Sequence, residues 1–178
     1  LQRFLNDLLE ASRIEHGTIE PKWESIELAD IITAVLHDLR QDRPGARVVT
    51  RIDPDCPFVS SDPLLLRHIL INLIDNALKF SPAGSPVEVE LIARADTVLY
   101  RILDRGPGLP AESRMLFDRF ERLEGSDRVG GSGLGLWIAK NFTEAVGGTI
   151  SAGNREGGGA IFEVALPVAV AKGMASHA

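Results

Sequence analysis

The stretch from Asp62 to Phe80 constrains this chain more than any other. Asp62-Pro63 is a strong helix start, because aspartate can cap free N–H groups and proline at the first helical position loses no hydrogen bond. The helix is expected to run to Phe80 and to stop before Ser81-Pro82. Leu66, Ile69, Leu70, Leu73, Ile74 and Ala77 recur at the spacing of a buried stripe, while His68, Asn72, Asn76 and Lys79 form a separate polar stripe. Asparagine is a mediocre helix former, so two of them one turn apart within NLIDNALKF need a reason. Side-chain amide oxygens are hard, neutral ligands that suit Mg²⁺, and a neutral ligand adds no repulsion beside an anionic partner. Lys79, one turn on, can place a cation against phosphates. The bland alternative is a solvated polar face, and it is the better reading for any helix taken alone.

Two glycine motifs downstream change that balance. Asp104-Arg105-Gly106-Pro107-Gly108 follows an apolar strand pattern. An ionised carboxylate only accepts hydrogen bonds, so it suits the adenine N6 amino group and repels the guanine O6 carbonyl. Gly106 and Gly108 let the backbone turn sharply and approach a base. Read by itself, the motif is an ordinary Asp-Gly turn. Gly131-Ser132-Gly133-Leu134-Gly135-Leu136 leads into a helical pattern, and N–H groups at such a turn form an anion site. It grazes a dinucleotide-binding fingerprint but lacks the βαβ setting, and no GxxxxGK[ST] P-loop occurs anywhere.

The rest of the chain supplies a scaffold. Helical patterns cover residues 1–16, ended by Gly17, then 28–40 and 134–146, ended by Gly147-Gly148. On the first, Leu5, Leu8, Leu9 and Ser12 share one face. Strands are expected around Trp23 and over 47–52, 87–94, 97–104, 149–152 and 160–166, the last two flanking Gly157–Gly159 as a hairpin. A short helical patch is expected around Met115 to Phe120. This alternation implies an α/β two-layer sandwich, a mixed and mostly antiparallel sheet with helices on one face. A length of 178 residues allows one well-buried domain. A net charge of −6 argues against a general nucleic-acid or anionic-membrane surface. Cys56 is the only cysteine, which excludes an internal disulfide and fits a packed thiol in a reducing compartment.

The three motifs, in this order, resemble the catalytic, ATP-binding domain of sensor histidine kinases, within the superfamily that includes gyrase-type ATPases. The resemblance runs over about residues 1–167. It implies the histidine kinase ATP-binding fold with ATP and Mg²⁺ as cofactors. Asn76 would be the main Mg²⁺ residue with Asn72 in support, and Phe80 would pack near adenine. Asp104, Gly106 and Gly108 would read the base, and Gly131, Ser132, Gly133, Leu134, Gly135 and Leu136 would hold phosphate. Phe117-Asp118-Arg119-Phe120-Glu121-Arg122 resembles the family's phenylalanine box in a mobile lid. There Phe117 and Phe120 would anchor the lid, Arg119 or Arg122 would reach the γ-phosphate, and Gly125, Gly130 and Gly131 would be hinges. Asn72, Asn76, Lys79 and Arg122 are the expected catalytic set.

Residues 1–16 look like the last turns of the dimerisation and phosphoacceptor hairpin, with the acceptor histidine upstream. Residues 17–167 would be the ATP-binding domain and 168–178 a disordered tail. PKW at Pro21 to Trp23 and the GTISAGNREGGGAIFEVALP ending resemble the potassium-responsive Kdp-type sensor kinases most closely. The resemblance implies a cytoplasmic domain of a membrane-bound, homodimeric sensor whose partners are the hairpin and a response regulator, without nucleic acid. Family hydrolases carry a glutamate four residues before the Mg²⁺ asparagine to activate water. Here that residue is Asn72, which cannot accept a proton at neutral pH. Asp75, displaced by about 100° around the helix from Asn76, is expected to be exposed. His37-Asp38-Leu39-Arg40 imitates an acceptor box, yet His37 is expected to be an ordinary surface histidine. The alternatives are an ATP hydrolase of the same superfamily and a degenerate nucleotide-binding module.

Overall fold

A computed structural model describes residues 2–17, 19–43, 45–110, 115–120 and 132–169. The elements follow the hydrophobic pattern closely. They are α1 (Gln2–Glu15), β1 (Glu24–Ile26), α2 (Leu28–Asp42), β2 (Val48–Ile52), β3 (Val59–Ser61), α3 (Pro63–Phe80), β4 (Val87–Ala93), β5 (Thr97–Leu103), α4 (Gly135–Ala145), β6 (Thr149–Asn154) and β7 (Ala160–Pro167).

Among the described residues, one sheet runs β2-β4-β5-β7-β6. Only the β2–β4 pair is parallel, and the other pairings are antiparallel. Alternation along the strands separates two faces. Leu91, Tyr100 and Val164 lie in one cross-strand row, and Val89, Ile102 and Phe162 in the next. All six are buried in the core. The opposite face carries Glu90, Arg101 and Glu163 in register, with Arg101 Nε donating to Glu163 at 2.5 Å. Helices α3 and α4 pack together against the apolar face, α2 leans on α3, and α1 on α4. The two-layer sandwich is therefore as expected.

Differences from the expected layout have local causes. Trp23 precedes β1 and is exposed, and the strand pairs with the short β3, which the Pro57 neighbourhood concealed. Met115 is in a 3₁₀ turn and residues 116–120 form turns, ending at Phe120 with φ 62°. On α1, Ala11 is the buried residue, while Leu5 and Leu9 face outward. Val168 bridges to Val59 and the Ala169 N–H donates to the Phe58 carbonyl at 2.9 Å, so ordered pairing continues two residues past Pro167. No helix of the described residues is long and apolar enough to cross a membrane.

Candidate functional site

Helix α3 is the spine of the site. Asp62 caps it as expected, Oδ1 accepting from the N–H groups of Leu64 at 2.8 Å and Leu65 at 3.1 Å. Along the polar stripe, burial falls toward the C-terminus: Asn72 is 7 % exposed, Asn76 half-buried, Lys79 exposed. Asn72 is thus no solvated surface residue. Among the described residues it makes no hydrogen bond, and its Oδ1 lies 3.5 Å from where a Cβ on Gly135 would stand. Lys79 Nζ sits 5.4 Å from the centre of the Phe80 ring, a cation–π contact at the end of the stripe. His68 meets Phe142 edge-on at 5.8 Å, which gives it a packing role.

Asp75 overturns one expectation. It is only 8 % exposed and pairs with Arg43 at 3.0 Å. Its side of α3 faces α2 instead of solvent, and the ion pair stands beside a groove of about 230 Å³ that also involves Asp38 and Arg67. None of the expected nucleotide residues lines that groove.

At the C-terminal end of α3 the chain meets the Asp104 loop. Asp104 is 3 % exposed. Its Oδ1 accepts from the N–H of Gly106 at 2.8 Å and of Ala160 at 3.0 Å. No bond to Oδ2 occurs among the described residues. A fixed carboxylate with one oxygen left over fits an amino-group donor such as adenine N6. Gly106 is needed because a Cβ would come within 2.9 Å of the Phe80 carbonyl. Gly108, at φ 80°, would bring a Cβ within 2.6 Å of Asn154 Oδ1. The Arg105 N–H donates to Ser81 Oγ at 3.2 Å, tying loop to helix.

Three residues that the sequence reading left out complete this end. Asn154 clamps Leu109, whose N–H donates to Oδ1 at 2.6 Å while Nδ2 donates back to the Leu109 carbonyl at 2.8 Å. Arg155 donates through Nη1 to the Asp104 carbonyl at 3.2 Å and through Nη2 to Glu88 at 3.0 Å. Glu88 is nearly buried, and Arg51 and Arg105 also approach it. Its burial raises the carboxyl pKa, but the Arg155 hydrogen bond and the charges of Arg155, Arg51 and Arg105 outweigh that and hold it below its ordinary value. The NREGGG run signals only a hairpin; what it touches depends on strand pairing some fifty residues away.

The glycine turn that leads into α4 is built differently. Leu134 is fully buried and Leu136 half-buried, so both serve as packing and offer only backbone. The first turn of α4 leaves N–H groups without intrahelical partners, an arrangement suited to anions. The Leu134 N–H donates to Ser132 Oγ at 3.2 Å, and that hydroxyl donates to Asp7 of α1 at 2.8 Å. Gly133, at φ 69°, lets the backbone of Phe120 pass close, and the Phe120 N–H donates to the Gly133 carbonyl at 3.1 Å. Arg119 is paired with Glu15 of α1 and lies over the Phe120 and Trp137 rings, 4.6 and 5.6 Å from their centres. Phe117 packs on the core, whereas Phe120 is exposed, with a left-handed backbone and the Arg119 guanidinium over its ring. Arg122, Gly125, Gly130 and Gly131 lie outside the described residues. His37 is exposed on α2, its Nε2 2.8 Å from Gln41 Nε2, as expected for a surface histidine. Cys56 is partly buried, and burial first, then Asp53 and Glu27, push its thiol pKa up.

Fold and site together define an α/β sandwich in which a buried carboxylate on a glycine loop stands at the end of an asparagine-bearing helix. Residues 61–170 match the family described as histidine kinase-, DNA gyrase B-, and HSP90-like ATPase. The chain belongs to that family. Among curated relatives, it is 36 % identical over 172 residues to sensor protein KdpD of Rathayibacter rathayi, covering 96 % of this chain and 20 % of the relative. It is 33 % identical to KdpD of Escherichia coli, over 93 % of this chain and 18 % of that protein. Sensor protein SphS of Synechococcus elongatus is 37 % identical over 94 % of this chain and 43 % of its own length. The chain therefore spans about a fifth of the KdpD relatives. Among solved structures, the mycobacterial sensor histidine kinase MprB superposes with TM-score 0.73 at 28 % identity, over 82 % of this chain and 97 % of that one. Full-length ShkA in complex with AMPPNP gives 0.79 at 27 % identity, over 95 % and 36 %.

Proposed function

We propose that this chain is the ATP-binding catalytic domain of a two-component sensor histidine kinase. In the longer protein it presents Mg-ATP so that the γ-phosphoryl passes to a histidine on a helical hairpin, and from there to an aspartate of a response regulator. The observation that carries this reading is Asp104, buried and fixed by two N–H donors through Oδ1 with Oδ2 left for a base amino group. Asn72 and Asn76 fit Mg²⁺ as neutral oxygen donors, Asn72 through a side-chain amide that no described residue engages in a hydrogen bond. When bound, Mg²⁺ offsets negative charge on the triphosphate. The chain's own residues then orient the substrate: Asp104 selects the base, the α4 N-terminus meets phosphate, and Lys79 and Arg119 supply cations nearby.

Transfer is favoured over hydrolysis by what surrounds the amides. Asn72 cannot take a proton from water, and Asp75, the neighbouring carboxylate, is committed to Arg43 at 3.0 Å on the α2 side. Membership of a dimer, the hairpin's contribution by residues 1–16, and attachment to a membrane-bound sensor at its cytoplasmic side belong to the same proposal. So do the roles of Arg122 and Gly131 and the boundaries at 17 and 167. The relatives named KdpD support a Kdp-type origin.

The test is direct. Incubated with γ-labelled Mg-ATP, the chain alone stays unlabelled, while a separately produced phosphoacceptor hairpin added to it gains acid-labile label. Asn76→Ala removes the Mg²⁺-dependent part of ATP affinity, a loss of about tenfold or more, with an unchanged circular dichroism spectrum. Sustained phosphate release by the chain alone would favour the hydrolase reading instead.

A further inference from the structure

The β6–β7 hairpin does more than close the sheet. Antiparallel pairing sets Asn154 opposite Ala160 and Leu103 opposite Ile161, so the hairpin emerges beside the end of β5, where Asp104 begins its loop. The turn is made possible by Gly157, Gly158 and Gly159 at φ 81°, 96° and 100°. A Cβ on Gly159 would overlap the Asp104 carbonyl oxygen, so the hairpin backbone lies directly on the loop. Asn154 then fixes the far end of the loop through both backbone groups of Leu109, and Arg155 fixes the near end through the Asp104 carbonyl. Glu88 holds the Arg155 fork in place, with side chains 7 % and 11 % exposed respectively. Both ends of a six-residue turn are thereby tied to one hairpin.

We propose that Asn154 and Arg155 are positioning residues that set base selectivity, by holding the Asp104 loop so that the free carboxylate oxygen stays registered with the base amino group. The proposal rests on Asp104 being the adenine acceptor. Hydrogen-bond selection is steep in distance and angle, and a site whose supporting residues are removed loosens by roughly 1 Å. Neither residue lies on α3 or at the α4 N-terminus, so loosening the loop should cost recognition of the amino group specifically. A purely structural role would lower affinity for every nucleotide alike.

The experiment compares Mg-ATP with Mg-purine riboside triphosphate, which has the same sugar and phosphates but lacks the 6-amino group, by calorimetric titration. The unaltered chain should prefer ATP by about tenfold or more, the range of a charge-assisted hydrogen bond. In Asn154→Ala that preference should shrink to about threefold or less, with purine riboside triphosphate affinity changed by less than about twofold. Asn154 is exposed, so this variant removes the loop clamp without opening the core. Arg155→Lys keeps a cation beside Glu88 but cannot span carboxylate and carbonyl together, and should give an intermediate ratio. An unchanged ATP preference in Asn154→Ala, or an equal loss for both nucleotides, overturns the proposal. If the unaltered chain itself fails to distinguish the two nucleotides, the adenine reading of Asp104 falls, and this inference with it.

Discussion

The two ends of the site are held by different means. Around Asp104 most restraints come from the sheet and its hairpin: the Ala160 N–H on Oδ1, the Asn154 clamp, and the Arg155–Glu88 pair. Around Ser132 and Arg119 the partners are side chains of α1, namely Asp7 and Glu15, and the backbone of Phe120 sits in the left-handed region against Gly133. The proposed base acceptor is therefore held mainly by the sheet layer of the fold. The proposed phosphate turn leans on elements that the sheet does not fix. The proposed transfer function would use that division, with the base held while the reacting end accommodates an incoming acceptor.

The strongest way to break the contrast is to dislodge the hairpin. Gly159→Ala places a Cβ against the Asp104 carbonyl at a backbone angle of 100°. It should destabilise the chain by on the order of 3 kcal/mol and abolish measurable ATP binding, read by thermal unfolding and titration. Strain at a similar φ of 96° without steric overlap, as at Gly158→Ala, serves as the control and should leave binding intact.

Acid sensitivity probes the same end. The carboxyl of Glu88 has a folded pKa below its ordinary 4.5, so the folded state binds fewer protons there than the unfolded state. Its contribution is present above that ordinary value and is lost as pH falls through the folded one. Glu88→Gln should cost about 2 kcal/mol at neutral pH and flatten the decline in stability below pH 4.5, in denaturant titrations across pH.

The smallest effect belongs to the phosphate end. Ser132→Ala removes one acceptor from the Leu134 N–H and one donor from Asp7. It should weaken Mg-ATP binding by about 1 kcal/mol and leave the preference for ATP over GTP unchanged. A changed base preference would mean the two ends are coupled more tightly than their separate supports imply.

The legible parts of this molecule are the local ones. Asp62-Pro63 announces α3, Gly17 and Gly147 close α1 and α4 at φ 62° and 74°, and the asparagine stripe stands out because propensity argues against it. What escaped reading is set by long-range packing. Asp75 looked free on a helical wheel because the wheel does not contain Arg43. Phe120 looked like an apolar anchor, but its backbone conformation is dictated by Gly133, across a segment with no periodicity of its own. Asn154, Arg155 and Glu88 carry no motif, and only the β5–β7 and β6–β7 pairings bring them to Asp104.

The central claim is that one carboxylate reads the base, and Asp104→Asn tests it most directly. The substituted amide can keep its oxygen on the Gly106 and Ala160 N–H groups, so the fold should persist. Its NH₂ then stands where Oδ2 was, opposing a base amino group and welcoming a carbonyl. Titration of both chains with Mg-ATP and Mg-GTP should show ATP affinity falling by about 1.5–3 kcal/mol and the ATP-over-GTP preference narrowing or reversing. Equal ATP affinity in the two chains, with the preference unaltered, would contradict the account.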